Sequence, residues 1–199
     1  MREADPVEPP VISPQQKADI VLDVIRTRRV VRRYTDEPVA DEQIRRVLEA
    51  GRWATTGGNR RIHRFLVTRD PKTIRLIKLI SPGMLGAPTA VILICLDHEA
   101  IEREQTQEGH SSGLVDVGTQ AMNMMVAAHA LGLGSCPVTS FSQSGMSTLL
   151  ELPPTASPLL MVLLGHPAPH RRVMRHGAKT RLTIEDLTYW EHYGRKTPQ

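Results

Sequence analysis

The chain is organised around one segment, Arg28-Arg29-Val30-Val31-Arg32-Arg33-Tyr34. Its four arginines lie within six positions, and such a dense positive patch repels itself in a compact fold. Guanidinium groups bind phosphate through paired, charge-assisted hydrogen bonds, so the segment predicts an anionic partner. The alternative is a solvated helix end, because cations are favoured at helix C-termini. That alternative stays open above all for Arg33.

The composition is that of a globular protein. The chain has 199 residues, 40% apolar and 23% charged, which suits one domain with a substantial core. Aromatic residues make up only 4%, which disfavours the stacking of nucleic-acid bases on exposed rings. The net charge of +4 permits an anionic ligand without indicating nucleic acid. The longest apolar runs are too short to span a bilayer, so we expect neither nucleic acid nor a membrane as a partner.

The cysteines and the N-terminal residues bear on the cellular compartment of the protein. Cys95 and Cys136 lie in apolar surroundings without Cys-x-x-Cys spacing, so we expect no disulfide framework and a reducing cytoplasm. Residues 1–14 are acidic and rich in proline, without the hydrophobic core of a secretory signal. We interpret them as a flexible arm that could also lie over a partner subunit, and residues 15–199 as a single domain.

Helical and strand patterns interleave along the chain and predict an α+β fold around one sheet. Ser13-Pro14 begins a first helix that reaches about Thr27. Residues 98–110 carry no clear period and predict an exposed excursion. Asp41 and Thr183 are predicted to be the N-caps of two further helices. Other helices are predicted from Pro71 onward and over 113–131 and 144–150, and strands over 65–67, 89–96, 137–139 and 159–164.

Four segments, in order along the chain, carry a family pattern. The first is the arginine segment with the Asp36-Glu37-Pro38-Val39 that follows it. The second is a polar loop from Ala54 to Phe65, and the third is Asp116-Val117-Gly118 with a long apolar helix ending in Gly132-Leu133-Gly134. The fourth is Gly165-His166-Pro167, with Arg181 before the last helix. Together these segments resemble the nitroreductase family of FMN-dependent enzymes over about residues 20–194.

The resemblance implies a nitroreductase-like fold with a central mixed, mainly antiparallel sheet flanked by helices. It also implies a homodimer with two FMN sites at the subunit interface, each built by both chains. Such an enzyme passes electrons from NAD(P)H through the flavin to a nitroaromatic, quinone or similar acceptor by a ping-pong mechanism. The alternatives are other flavin chemistry (dehalogenation, enoyl reduction, azoline oxidation or flavin fragmentation) and a non-enzymatic flavin-binding protein. No catalytic acid, nucleophile or metal motif stands out.

The resemblance also implies which residues contact FMN. Arg28 and Arg181 would hold the phosphate, with Arg29 and Val30 along the ribityl chain and ring edge. Arg32 would lie near the pyrimidine side of the ring, where a cation stabilises the reduced flavin. Thr55, Thr56 and Asn59 would reach the flavin from the second subunit. Cys136, Pro137, Val138 and Thr139 would lie beside the ring and offer backbone N–H groups towards N5. Gly165 and His166 would contact the phosphate end.

Some of these residues have plainer interpretations. Asn59 follows two glycines and suits a left-handed turn whatever the ligand. Cys136 has the surroundings of a small buried hydrophobe and no signature of a reactive thiol. His166, His170 and His176 lack the spacing of a zinc site.

Two departures from the family pattern bear on specificity. Val30 replaces a serine, so a flavin contact there must come from the backbone. Arg61-Ile62-His63 replaces Gln-Pro-Trp, and the added positive charge predicts an anionic substrate or the phosphate of a nicotinamide nucleotide. His63 either borders the active site or covers the sheet edge. The short region between residues 96 and 113 predicts an exposed flavin.

Overall fold

The structure, a computed structural model, describes residues 12–103, 109–169 and 182–197. Its contacts group the chain into two units, residues 1–168 and 169–199. The elements of the first unit are α1 (Pro14–Thr27), α2 (Asp41–Arg52), β1 (His63–Thr68), α3 (Pro71–Leu79), β2 (Ala90–Asp97), α4 (His98–Arg103), α5 (Gly109–Ala130), β3 (Gly134–Val138), α6 (Gln143–Leu149) and β4 (Ala156–Gly165). A single 3-10 turn, Gly57–Asn59, lies between α2 and β1.

One four-stranded sheet lies at the centre, in the order β1-β2-β4-β3. All three strand pairs are antiparallel, and the parallel contact at this sheet is the isolated bridge between Val30 and Ser135. Strand β2 is buried from Ala90 to Leu96, because helices cover both of its faces. One face packs on α2 and α5 and the other on α3 and α6. The predicted fold class is therefore confirmed.

Most predicted elements are present with shifted ends. Helix α1 ends at Thr27 as expected, with Ser13 as its N-cap in a capping box with Gln16. Helix α2 begins at Asp41, but its N-cap is Ala40, so the prediction that Asp41 is the cap was wrong. The exposed excursion was also wrong in part, because residues 98–103 form α4 and bury Ala100.

Helix α5 crosses the sheet and packs closely on α2. A Cβ at Gly51 would lie 2.3 Å from Met124 Cε, so the two helices approach at a distance that only glycine allows. On the face of α5 away from this contact, Leu114, Val115 and Met122 are 47–66% exposed. Helix α1 has no buried residue and also presents exposed apolar side chains. Helix α5 therefore packs into the core on one side and is exposed on the other.

The second unit contains α7 (Ile184–Leu187). Thr183 caps this helix in a reciprocal pair with Asp186, as the sequence predicted. Lys196 Nζ donates to the carbonyl oxygens of Glu185 and Asp186, at 2.8 and 3.1 Å. The single domain over residues 15–199 and the cytoplasmic location stay predictions. The predicted arm, residues 1–14, lies almost wholly outside the described residues.

Each helix in the described part of the chain is too short or too polar to cross a bilayer.

Candidate functional site

The arginine segment is anchored to the end of the sheet by its backbone. The N–H of Val31 donates to the carbonyl of Ser135 at 2.9 Å, and the N–H of Thr35 donates to the carbonyl of His166 at 2.9 Å. Because these bonds use the main chain, the arginine side chains of the segment do not have to anchor it. The segment therefore holds its guanidinium groups at a fixed place beside β3 and the end of β4.

Two glycines allow this close approach. A Cβ at Gly134 would lie 2.6 Å from Val31 Cγ1, and one at Gly165 would lie 2.7 Å from Tyr34 Cδ1. Tyr34 donates its hydroxyl hydrogen to the carbonyl of Val31 at 2.6 Å, and burial raises the pKa of Tyr34 well above its ordinary value. Gly165 is thus required by packing, whatever it contacts in a ligand.

The arginine side chains differ in their partners. Arg28 is half-buried, and its Nη1 is buried without a hydrogen-bond partner among the described residues. Arg29 donates to the carbonyls of Arg26 and Arg28, at 2.6 and 2.8 Å. Leaving a guanidinium N–H buried and unpaired is costly, so Arg28 is the member of the segment that fits an anionic ligand best.

Arg32 lies beside the thiol of Cys136. Burial raises the pKa of Cys136, and the Arg32 charge partly opposes that rise. The thiol therefore stays protonated near neutral pH, as expected for a small buried hydrophobe. Arg32 itself is exposed, so its charge faces the space in front of β3.

Strand alternation identifies which backbone N–H near β3 faces outward. The carbonyl of Ser135 accepts from Val31, so within β3 the backbone groups of Ser135 and Pro137 face the open edge, while those of Cys136 and Val138 face β4. Proline has no N–H. Thr139 follows the end of β3 and is exposed. We therefore expect the N–H of Thr139 to be the backbone donor that a ligand at this edge can reach.

His166 lies at the same end of the sheet, just after Gly165 closes β4. Its Nε2 is 3.7 Å from a carboxylate oxygen of Glu37. Val30 is 39% exposed and follows the arginines on the same surface. Arg28, Val30, Arg32, Thr139 and His166 therefore belong to one end of the sheet. Arg181, the second phosphate ligand predicted from the sequence, lies outside the described residues.

The polar loop is held from a different direction, by side chains of α5. Asp116 Oδ1 accepts the N–H of Gly57 at 3.1 Å, and Thr119 Oγ1 donates to the carbonyl of Thr55 at 3.1 Å. One turn further on, Asn123 Nδ2 donates to the carbonyl of Ala50 at 3.2 Å. These three polar residues are spaced i, i+3, i+7 on one face of the helix. They fix the path of the chain from the end of α2 into the loop.

The loop itself makes a left-handed turn. Gly58 has φ of 65° and Asn59 has φ of 55°, and asparagine is among the residues that adopt this region most readily. The turn role suggested for Asn59 by sequence is thus confirmed, and its side chain is exposed. Thr55 is exposed, and Thr56 donates its hydroxyl hydrogen to the carbonyl of Arg60 at 3.0 Å.

The two predicted halves of the site lie at opposite ends of α5. Asp116 holds the polar loop, whereas His129 contacts Thr27, just before the arginine segment, with 3.0 Å between His129 Nε2 and Thr27 Oγ1. Thirteen residues of helix separate Asp116 from His129, which corresponds to about 20 Å. Within one chain, the loop and the arginines are therefore too far apart to hold the same small phosphate group.

A cavity of about 480 Å³ opens beside the polar loop. The loop, the end of α2, β1 and α5 contribute its walls, and Arg52, Trp53, Arg60, Arg61, His63 and Gln120 are among the residues that line it. His63 Nε2 is 3.2 Å from the carbonyl of Gly113, and burial lowers the pKa of this histidine. His63 therefore borders a cavity rather than merely covering the sheet edge.

Sequence reasoning missed several of these residues. The sequence pattern includes Asp116 in a motif without indicating its role, and it gives no prediction for Thr119, Trp53 and Gln120. The spacing of Asp116, Thr119 and Asn123 on an otherwise apolar helix was a usable signal. Trp53 offered none, because nothing local shows that the indole stays 71% exposed.

The comparisons with known proteins agree with the fold and its order of segments. The sequence profile of the nitroreductase family matches residues 25–82 and 76–166. The FMN reductase [NAD(P)H] of Bacillus subtilis is 29% identical over 189 residues, covering 87% of this chain and 74% of that enzyme. A putative NADH dehydrogenase/NAD(P)H nitroreductase of Methanothermobacter thermautotrophicus is 27% identical, covering 74% and 78%.

Solved structures match as well. A nitroreductase structure from Desulfovibrio desulfuricans, in complex with FMN, aligns with a TM-score of 0.69 and 34% identity, covering 84% of this chain and 94% of that one. NfrA1 of B. megaterium aligns with a TM-score of 0.75 and 25% identity, covering 87% and 75%. The chain belongs to the nitroreductase family.

Proposed function

We propose that this protein is an FMN-dependent oxidoreductase that takes electrons from NAD(P)H and passes them to a nitroaromatic, quinone or similar acceptor by a ping-pong mechanism. The observation that carries the proposal is the guanidinium nitrogen Nη1 of Arg28, which is buried without a hydrogen-bond partner in the part of the chain that the structure describes. The chain that holds it belongs to the nitroreductase family. Relatives named FMN reductase and NADPH-flavin oxidoreductase support the cofactor and the donor.

The residues around Arg28 fit an FMN phosphate and ring. Arg28 has a buried guanidinium nitrogen without a partner among the described residues, and the glycines at 134 and 165 allow the segment to lie close to the sheet. Bound FMN supplies the two-electron exchange between nicotinamide and acceptor. Arg28 would hold the phosphate, Arg32 would stabilise negative charge on the pyrimidine side of the ring, and the N–H of Thr139 would donate to the ring edge.

The proposal includes a homodimer in which each flavin site uses two chains. The separation of about 20 Å along α5 supports it, because a polar loop that far from the arginine segment of its own chain is free to contact the flavin held by a second chain. Exposed apolar side chains support a second copy as the partner. On α1 and α5 these include Ile20, Val21, Leu22, Ile25, Leu114 and Val115, each at least 53% exposed. Thr55, Thr56 and Asn59 would then reach the flavin of the other subunit.

Visible spectroscopy tests the proposal. We expect the purified protein to show the two absorption bands of oxidised flavin, as isolated or after incubation with FMN. Anaerobic NADH or NADPH should bleach those bands, and an added quinone or nitroaromatic should restore them. Colour without bleaching would contradict the donor assignment and favour the other flavin chemistries. A colourless protein that FMN does not reconstitute would contradict the flavin assignment itself.

A further inference from the structure

The cavity beside the polar loop combines positive charge with a flat aromatic surface. Three of its lining residues are arginines, Arg52, Arg60 and Arg61, and none of the described residues that line it is acidic. The guanidinium carbon of Arg52 lies 4.5 Å from the centroid of the Trp53 ring, and the indole is 71% exposed. Charge and a flat surface in one cavity suit a planar ring that carries an anionic group.

Local hydrogen bonds position Arg52 and the backbone of Arg60. Arg52 donates to both carboxylate oxygens of Glu49, at 2.8 and 2.5 Å. Arg60 is held through its backbone, since its carbonyl accepts from Thr56. A guanidinium group has five N–H donors in a fixed fork, so an arginine with one partner retains others for a phosphate.

A flavin phosphate is a poor candidate for this cavity. The arginine segment already offers the buried donor of Arg28, and the cavity lies beside the other half of the predicted site. Thr55, Thr56 and Asn59, which we propose to face a flavin, line one side of the cavity. The cavity therefore opens onto the surface that a molecule approaching the flavin would meet. The chain therefore has a second group of arginines beside the flavin-facing surface. A molecule that approaches the flavin and carries its own anionic group would explain them.

We propose that this cavity binds the adenosine 2′-phosphate end of NADPH and makes the enzyme prefer NADPH to NADH. The inference rests on the proposed function, which supplies the nicotinamide nucleotide as electron donor. The 2′-phosphate is a strongly charged group that guanidinium pairs recognise, and the purine can stack on Trp53. The volume of about 480 Å³ lies within the range of pockets that hold small ligands, roughly 300–1,000 Å³.

Calorimetric titration of the flavin-loaded protein with adenosine 2′,5′-bisphosphate and with AMP tests the inference without turnover. The bisphosphate should bind more tightly by about tenfold or more, the typical contribution of a charged hydrogen bond. Arg60→Gln and Arg61→Gln should each remove most of that difference. Arg75→Gln removes the same charge from an exposed position on α3 and should leave the difference unchanged.

Kinetics and flavin binding supply the second readout. The ratio of kcat/KM for NADPH to kcat/KM for NADH should exceed one and fall in Arg60→Gln and Arg61→Gln, while the FMN dissociation constant stays at the wild-type value. Equal binding of bisphosphate and AMP would overturn the inference. Loss of FMN affinity in place of nucleotide discrimination would also overturn it, because the cavity would then serve the flavin.

The failure of this inference and the failure of the proposed function are distinguishable. If NADH and NADPH bleach the flavin equally well and the two adenosine ligands bind alike, the function stands and the inference fails. If neither nucleotide bleaches the flavin, the proposed function fails, and the titration still decides whether the cavity recognises a 2′-phosphate.

Discussion

The arginine segment and the polar loop are both ligand-facing in the proposed site, but the fold holds them by different means. The segment is tied to the sheet by main-chain bonds from Val31 and Thr35, so its side chains carry the function. The loop is tied to α5 by the side chains of Asp116 and Thr119, so residues far from it in sequence set its shape. The first region can be recognised from its own composition. The second depends on a helix that begins about 50 residues later.

The largest expected effect on FMN affinity comes from a substitution in the arginine segment. Arg28→Ala removes a guanidinium whose Nη1 is buried without a partner among the described residues, so FMN should bind about 10- to 100-fold more weakly, the range for lost charged hydrogen bonds. Fluorescence titration of the apoprotein with FMN measures this. Arg33→Gln is the matched control, because Arg33 contributes its backbone carbonyl to Ala168 and its exposed side chain has no assigned contact. Equal losses in both variants would mean that only net charge matters.

The next largest effect is expected from a substitution that disturbs the close approach of the arginine segment to the sheet. In Gly134→Ala the new Cβ would lie 2.6 and 2.8 Å from Val31 atoms, and such overpacking typically costs about 1–3 kcal/mol of unfolding free energy. FMN affinity should fall with it, because the segment is displaced. Gly118→Ala is the control, since nothing lies within 4 Å of its Cβ and alanine stabilises a helix by about 0.5–1 kcal/mol. Denaturant unfolding compares the two variants.

Removing the hydrogen bond that holds the polar loop should reduce FMN affinity less. Asp116→Ala leaves the N–H of Gly57 without its acceptor, and the expected loss of stability is about 1–3 kcal/mol. FMN affinity should fall less than in Arg28→Ala, because the loop contributes no charge to the phosphate. Asp116→Asn keeps an acceptor oxygen and should retain most of the stability and the affinity. If the asparagine variant were as weak as the alanine variant, the carboxylate charge and not the hydrogen bond would hold the loop.

The smallest effect concerns pH. Burial lowers the pKa of His63, so the unfolded chain takes up its proton first as pH falls. The free energy of unfolding should therefore decrease as pH drops through the ordinary histidine value of 6.5 and level off below the lower folded pKa. Urea unfolding at pH 8 and pH 5 should show this slope in the wild type and a shallower slope in His63→Gln. Identical slopes would mean that His63 is solvated in the folded protein.

Prediction from sequence succeeded where the signal was local. The helix caps at Ser13 and Thr183, the buried strand β2 and the arginine segment each carry their signal in a few adjacent residues. It failed at residues 98–103, where Ala100 packs against Ile62 and Leu96 in a small cluster that no local period records. The sequence also could not show that the N–H of Cys136 and of Val138 face β4, because that orientation depends on the pairing of β3 with β4.

The separation of the two regions along α5 leads to the measurement that tests the account most directly. Arg28→Ala and Thr55→Glu should each weaken FMN binding as homodimers, the second by placing a carboxylate at an exposed loop position that we propose faces the flavin. Mixed dimers of the two variants, purified with two tags, contain one unaltered arginine segment and one unaltered loop on different chains. If each site is built by two chains, those mixed dimers should bind one FMN per dimer with near wild-type affinity. If both of their sites bind FMN as weakly as the variant homodimers do, each flavin site lies within a single chain, and the account is contradicted.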